Sequence, residues 1–74
     1  MSDVFAELRE ASTEIGAALD QVVGAFMRQE ISKQEYEYLL TELRDVQAAQ
    51  TLAGNENAMR LVVAAVSLAA TAMG

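Results

Sequence analysis

The side chains available for chemistry are hydroxyls, carboxylates and two tyrosines, because the chain contains neither histidine nor cysteine. Covalent catalysis needs a nucleophile that an adjacent base activates. No serine or threonine has an evident base beside it, and Ser32 is better explained as a helix cap. A glycine-rich phosphate loop is also missing, since Gly16 and Gly24 lie in a helical pattern. We therefore predict that the protein is not an enzyme, and we assign no catalytic or cofactor-binding residue.

Carboxylates give the only arrangement that suits a cation. Glu7, Glu10 and Glu14 share one helical face, and oxygen ligands suit hard cations. Rows of this kind are typical of a solvated face, and the usual ligands of structural zinc do not occur, so no metal site is predicted. Tyr36 and Tyr38 lack the basic neighbours of a base-stacking platform. We expect Tyr36 to be half-buried at a turn and Tyr38 to lie on a contact surface.

The charge of the chain restricts its partners. Eleven acidic and five basic residues give a formal net charge of −6. Like charge repels a phosphate backbone and anionic lipid headgroups, so no nucleic-acid partner is predicted. The N-terminal residues lack the basic start and apolar run of a secretory signal, and the lack of cysteine fits a reducing compartment. These features favour a cytoplasmic protein, with a virion or secreted assembly as the alternative.

Composition predicts an all-α fold in a single domain, residues 1–74. Proline is absent, only four glycines occur, and 53% of the residues are hydrophobic. Sheets need turn residues at short intervals, and this chain has almost none. We predict helices over about residues 3–28, 33–53 and 56–73. A short turn between the first two favours an antiparallel helical hairpin.

The first helix carries a heptad pattern of apolar residues at alternating spacings of three and four. The row consists of Phe5, Leu8, Ile15, Leu19, Val22 and Phe26, with Ser12 in phase. Ser2 is the expected N-cap, with Asp3 at the positive end of the helix dipole. Gly16 and Gly24 each cost about 1 kcal/mol relative to alanine inside a helix. Either a partner helix approaches closely at these glycines, or the two glycines are tolerated although they weaken the helix.

The second helix begins with the strongest local signal in the chain. Ser32 followed by Glu35 forms a capping box, and Ile31 with Tyr36 stands at the positions of a hydrophobic staple. The expected apolar row then continues through Tyr36, Leu39 or Leu40, Leu43, Val46, and Ala49 or Ala53. Gly54 and Asn55 mark its end, and Asn55 could instead cap the third helix. A continuous helix through this point is the alternative.

The third helix is unusually apolar. Ser67 and Thr71 are the only polar side chains between Leu61 and Met73. Such a helix is buried on every side or lies in lipid. Its uncharged part spans about 20 Å, short of a hydrocarbon core of about 30 Å. Membrane insertion through residues 58–73 is therefore not favoured, and we predict a central helix of a homo-oligomeric bundle.

Small residues would let copies of the third helix approach closely. One row of residues spaced four apart contains Ala65, Ala69 and Met73, and another contains Ser67 and Thr71. For any single alanine, helix propensity alone is an adequate explanation. The whole row indicates helix packing.

The stretch from Arg28 to Tyr36, with leucines at 39, 40 and 43, resembles short C-terminal domains of the SHOCT type. In those domains a helix, an Ile-Ser/Thr-x-x-Glu-aromatic turn and a leucine-bearing helix recur. The resemblance covers about half the chain, and the glycine usual before the isoleucine is missing.

In size and layout the chain is also similar to other small helical proteins. Needle subunits of type III secretion systems are hairpins that polymerise through an apolar C-terminal helix, but their proline-bounded turn is absent here. WXG-type secreted hairpins share the outline without a Trp-x-Gly motif in this chain. Small phage-encoded helical proteins have a similar composition.

These patterns predict a non-enzymatic interaction or structural module that acts through helix–helix self-association and binds another protein. The alternative is a phage virion, secretion-apparatus or membrane-active component whose C-terminal helix polymerises or inserts. The residues predicted to make the interaction contacts are Phe5, Leu8, Ile15, Leu19, Val22, Phe26, Leu61, Ala65, Leu68 and Ala69.

Overall fold

The computed structural model describes the backbone of residues 3–73, and the side chains of that range except residues 72 and 73. The described residues form helices and turns and contain no strand, which confirms the all-α class. The helices are α1 Val4–Ala11, α2 Thr13–Met27, α3 Lys33–Glu42, α4 Ala48–Thr51 and α5 Glu56–Met73, with a π-helical turn Leu43–Gln47 between α3 and α4.

The helix expected over residues 3–28 is divided at Ser12, so a single continuous helix was wrong. Ser12 adopts an extended conformation, with φ −152° and ψ 105°. Its N–H donates to the Leu8 carbonyl at 2.8 Å and closes α1. Its hydroxyl accepts from the Ile15 N–H at 3.3 Å and begins α2. A serine satisfies unpaired backbone donors in this way, and the side chain competes with a continuous helix.

The start of α1 also differs from the expectation. Asp3 is the N-cap, because its Oδ1 accepts from the backbone N–H groups of Phe5 at 3.0 Å and Ala6 at 3.3 Å. Ser2, the expected cap, lies outside the described residues.

Gly16 lies where α1 meets α2. A Cβ atom at residue 16 would stand 2.6 Å from Arg9 Cγ and 2.9 Å from Arg9 Cα. The close approach proposed for this glycine is therefore present, but the approaching helix belongs to the same chain. Arg9 Nη1 also pairs with Asp20 Oδ1 at 3.1 Å, so a second contact joins the two helices.

The turn after α2 is a Schellman motif without a glycine. The Glu30 N–H donates to the Ala25 carbonyl at 2.9 Å, and the Gln29 N–H donates to the Phe26 carbonyl at 3.0 Å. Gln29 takes a φ of +62°, in the left-handed region that costs a residue with a Cβ atom about 1–2 kcal/mol.

We expect Gln29→Gly to stabilise the protein by about 0.5–1 kcal/mol, because glycine adopts positive φ without the Cβ clash but is freer in the unfolded chain. The measurement is the urea unfolding midpoint. Gln21→Gly is the matched control, since Gln21 is exposed within α2, where glycine costs about 1 kcal/mol. Equal destabilisation by both substitutions would contradict the assignment of strain to Gln29.

The cap predicted for the second helix is confirmed. Ser32 Oγ accepts from the Glu35 N–H at 3.1 Å, and α3 begins at Lys33. Ile31 is partly buried against the cluster that contains Tyr36, as a hydrophobic staple requires. Tyr36 itself is 1% exposed, so the expectation of a half-buried side chain was wrong.

The π-helical turn changes which residues of the second helix face the core. An α-helix would place the core positions three or four residues apart, and Val46 was expected there. The π-helical turn contains one extra residue, so the buried positions run from Leu43 directly to Ala48. Val46 is consequently exposed, and so are Ala49 and Ala53, which corrects that part of the predicted row.

The third helix begins and ends as predicted. Thr51 ends α4, and Gly54 has a φ of +83° in the connecting turn. Asn55 Oδ1 accepts from the Ala58 N–H at 3.1 Å, which confirms that Asn55 caps α5. The two helices are therefore separate, and the continuous alternative was wrong.

The core lies between α5 and the other helices, since α1, α2, α3 and α4 all contact α5. Its buried side chains come from every helix and from the π-helical turn. They are Leu8, Ile15, Leu19, Tyr36, Leu40, Leu43, Ala48, Leu52, Ala58, Val62, Ala65, Val66 and Ala69. None of the helices within the described part of the chain has both the length and the apolar content needed to cross a membrane.

Candidate interaction surface

The concave features of the described surface are shallow and open. They lie beside the turn before α5, and the side chains around them include Asn55, Glu56 and Arg60. The residues that line them include no serine, threonine or tyrosine. Within the described residues, no three Asp or Glu side chains converge as ligands of a metal ion. The candidate functional surfaces are therefore convex helix faces.

Nine of the ten residues predicted to make interaction contacts are buried or half-buried within one chain. Five of them are buried: Leu8, Ile15, Leu19, Ala65 and Ala69. Four others pack at the edge of the same core: Phe5, Val22, Phe26 and Leu61. Leu68 is exposed. The heptad row of residues 5–26 thus packs into the core of its own chain, although the two parts of the row lie on separate helices.

α5 has one buried and one exposed face, because the rest of the chain covers only part of it. The buried face contains Ala58, Val62, Ala65, Val66 and Ala69. The exposed face, which we call the outer face, contains Arg60, Val63, Ala64, Ser67, Leu68, Ala70 and Thr71. The expectation that this helix is buried on every side does not hold within a single chain.

The two rows of small residues in α5 point in opposite directions. Ala65 and Ala69 lie inside, where Tyr36 Oη donates to the Ala69 carbonyl at 3.0 Å. Small side chains at these positions leave room for the tyrosine ring to reach the helix backbone. Ser67 and Thr71 lie on the outer face, beside Ala64. The centre of the outer face is therefore narrow, with Val63 on one flank and Leu68 on the other.

Val63 and Ala64 were not among the ten residues predicted to make interaction contacts, and Ser67 and Thr71 were predicted only as a row of small residues. A usable signal was present nonetheless. Arg60, Ala64, Ser67 and Thr71 follow one another at spacings of four, three and four, so the only polar side chains of the segment share one face with an arginine. That face must be the one directed away from the core.

The outer face is uncharged beyond Arg60, whereas charge is distributed over the other elements. Exposed ion pairs join Arg28 to Glu30 and Arg44 to Asp45, each at 2.8 Å. The side-chain hydrogen bond from Arg28 lowers the pKa of the Glu30 carboxyl, and the one from Arg44 does the same for the pKa of Asp45. Both ion pairs are exposed, so each contributes little to the stability of the fold.

The two tyrosines differ in burial and in their contacts. Tyr36 stacks on Phe26, with ring centroids 4.2 Å apart and ring planes 9° apart. Burial raises the pKa of the Tyr36 phenol, so the neutral form that donates to Ala69 is the one the fold favours. Tyr38 is 63% exposed, and a hydrogen bond with Glu42 raises its pKa.

Further exposed apolar side chains lie on other elements. They are Met27 at the end of α2, Tyr38 in α3 and Val46 in the π-helical turn. Single exposed apolar residues are ordinary on protein surfaces. α5 differs because two of them, Val63 and Leu68, flank an uncharged face of small residues.

Comparison of the chain with models of protein families, with curated proteins and with solved structures finds no match. The resemblance to SHOCT-type domains therefore has no support from a family match.

Proposed function

We propose that the protein is a non-enzymatic interaction module that associates with a second copy of itself through the outer face of α5. The observation that supports this proposal is an exposed helix face with no charge between residues 61 and 71, on a chain whose formal net charge is −6. Elsewhere the acidic surface keeps copies apart. On this face two copies meet without burying a like charge.

The packing of two outer faces has a simple physical basis. Ala64, Ser67 and Thr71 allow the helix backbones to approach closely, and Val63 and Leu68 then pack over the partner helix. Burial of apolar surface contributes about 25 cal/mol per Å². An antiparallel pairing would also place Arg60 of each copy near the negative C-terminal end of the other copy's α5.

The uncharged part of the outer face is about 16 Å long. Two helices paired over that length bury less than the roughly 800 Å² per partner of a standard interface. We therefore expect a weak, reversible dimer. Added salt should strengthen it, because salt screens the repulsion between two acidic chains. An interface held by ion pairs would respond in the opposite way.

Within each copy, we further propose that α2 and residues 33–51 form the antiparallel hairpin that supports α5. The support for this arrangement is the stack of Phe26 on Tyr36, which joins the last turn of α2 to the first turn of α3. The intervening turn is short and capped on both sides.

We expect Val63→Asp to abolish pairing through the outer face without unfolding the chain, because it places an unpaired charge in the pairing face. The measurement is mass by light scattering over a range of protein concentrations, together with helicity by circular dichroism. Val46→Asp is the matched control, since both valines are 46% exposed and the charge change is identical. It should leave the mass of the assembly unchanged.

Leu68→Asp is a second variant on the opposite flank and should act as Val63→Asp does. An equal loss of association in Val63→Asp and Val46→Asp would mean that added negative charge, rather than the outer face, controls assembly. Unchanged association in both outer-face variants would contradict the proposal. Filaments, or binding of the wild-type chain to liposomes, would favour the secretion or membrane-active alternative.

A further inference from the structure

The connection between α1 and α2 is a single residue, Ser12, and this is the shortest link between two helices in the described chain. Ser12 closes one helix and caps the next. A change of φ and ψ at this one residue, from extended to helical, would fuse α1 and α2 into one helix over residues 4–27. A short hinge between two packed elements is the usual site at which copies of a protein exchange an element.

The apolar spacing suits a fused helix as well as it suits the two observed helices. Phe5, Leu8, Ile15 and Leu19 keep one heptad phase through Ser12. In the observed fold these side chains pack into the same core from two separate helices. A fused helix would keep them on one face.

Three features mark the boundary between α1 and α2 in the observed, closed form. Ser12 Oγ caps α2 at the Ile15 N–H. Arg9 pairs with Asp20 at 3.1 Å. Gly16 leaves the space that Arg9 Cα and Cγ occupy. Exchange would re-form both contacts of Arg9 with α2 of the second copy, so the cap at Ser12 is the only one of the three that opening removes.

We propose that α1 exchanges between two copies of this chain by opening at Ser12. A fused helix of 24 residues is about 36 Å long, comparable with the longest dimension of the chain, 33 Å. Opening would carry the apolar side of α1, with Phe5 and Leu8, away from α5. The place that α1 leaves on α5 and α2 is filled by α1 of the second copy.

The segment that fits the surface of α5 and α2 vacated by α1 is α1 of a second copy, because it has the same sequence as the helix that packs there in the observed fold. The contacts of α1 with α5 and α2 form again in the exchanged dimer, so exchange adds a continuous helix without discarding the core. This exchange is independent of pairing through the outer face, which uses the opposite side of α5.

The test uses full-length variants in a Val63→Asp background, where outer-face pairing is absent. Ser12→Ala should disfavour the closed form, because it removes the cap of α2 and places a strong helix former at the hinge. We expect its mass by light scattering to double as concentration rises, with helicity retained.

Thr13→Pro is the locking variant. Proline is well accommodated at the first position of α2, and an extended Ser12 is the conformation that a residue before proline prefers. Inside a fused helix the same proline would break the helix. Added to Ser12→Ala, it should return the mass to that of a monomer.

Two results would overturn exchange through a fused helix. One is a dimer of the Ser12→Ala variant that persists after addition of Thr13→Pro. The other is a Ser12→Ala chain that stays monomeric, with unchanged helicity, at the highest concentration reached. If outer-face pairing does not occur, Val63→Asp leaves the mass of the wild-type chain unaltered, and the Ser12→Ala and Thr13→Pro variants remain comparable with each other.

Discussion

Truncation after Asn57 is expected to abolish cooperative unfolding, the largest effect we predict for this protein. It removes the buried face of α5, with Val62 and Val66, and it removes the carbonyl that accepts from Tyr36. Burial of one valine contributes about 1.5–3 kcal/mol. A core of this size supplies only about 3–5 kcal/mol in total. The remaining helices would lose the surface on which they meet.

The measurement is urea unfolding followed by circular dichroism, with helicity compared at equal residue concentration. Val63→Asp serves as the control, because it alters α5 only on the outer face and should retain a cooperative transition. A truncated chain that unfolds cooperatively with the wild-type midpoint would show that residues 58–74 are dispensable for folding. α5 would then be a segment that binds lipid or another protein and is not needed for folding.

Tyr36→Ala is expected to cost about 3–5 kcal/mol, the usual range for truncation of a large aromatic side chain in a core. The substitution would remove the stack on Phe26 and the hydrogen bond to the Ala69 carbonyl, and it would leave a cavity beside α5. That loss equals or exceeds the whole stability of a domain of this size. We therefore expect a largely unfolded chain at room temperature, measured by circular dichroism and thermal melting.

Tyr38→Ala is the matched control, since Tyr38 is 63% exposed and stands on the same helix. Its effect should stay within about 0.5 kcal/mol. Tyr36→Phe isolates the hydroxyl and should cost about 0.5–1.5 kcal/mol, the net contribution of one hydrogen bond. If Tyr36→Ala and Tyr38→Ala destabilised the protein equally, Tyr36 would not occupy the centre of the core.

Signals that depend on a few neighbouring residues could be recognised in the sequence. Ser32 with Glu35 located the start of α3, and Asn55 after Gly54 located the start of α5. In both cases an unpaired backbone N–H finds a side-chain acceptor three residues earlier, and this requirement does not depend on the rest of the fold. The high apolar content without proline was sufficient for the all-α class.

The division at Ser12 could not be recognised from periodicity. Apolar spacing records which residues share a face, and the same spacing suits one long helix or two short ones that both cover α5. The decision depends on a tertiary contact, the approach of Arg9 to Gly16. A local signal was nonetheless present, because a serine four residues before a glycine fits a cap followed by a close approach.

The outer face of α5 was missed for a similar reason. A segment rich in alanine and valine has little contrast between its faces, and the row of Arg60, Ser67 and Thr71 is the one sequence signal that distinguishes them. In the fold, the buried Tyr36 hydroxyl donates to the Ala69 carbonyl on the opposite face. That distant pairing cannot be inferred from the spacing within residues 58–73.

The π-helical turn between Leu43 and Ala48 has a consequence for how sequences related to this one should be aligned. Such a turn is equivalent to one residue inserted into an α-helix. A relative that lacks one residue in this segment would present Leu43 and the following alanine four positions apart, and the same side chains would remain in the core. A one-residue gap placed there in an alignment leaves the set of core side chains unchanged. The same gap inside α2 would rotate every later residue of that helix by about 100°.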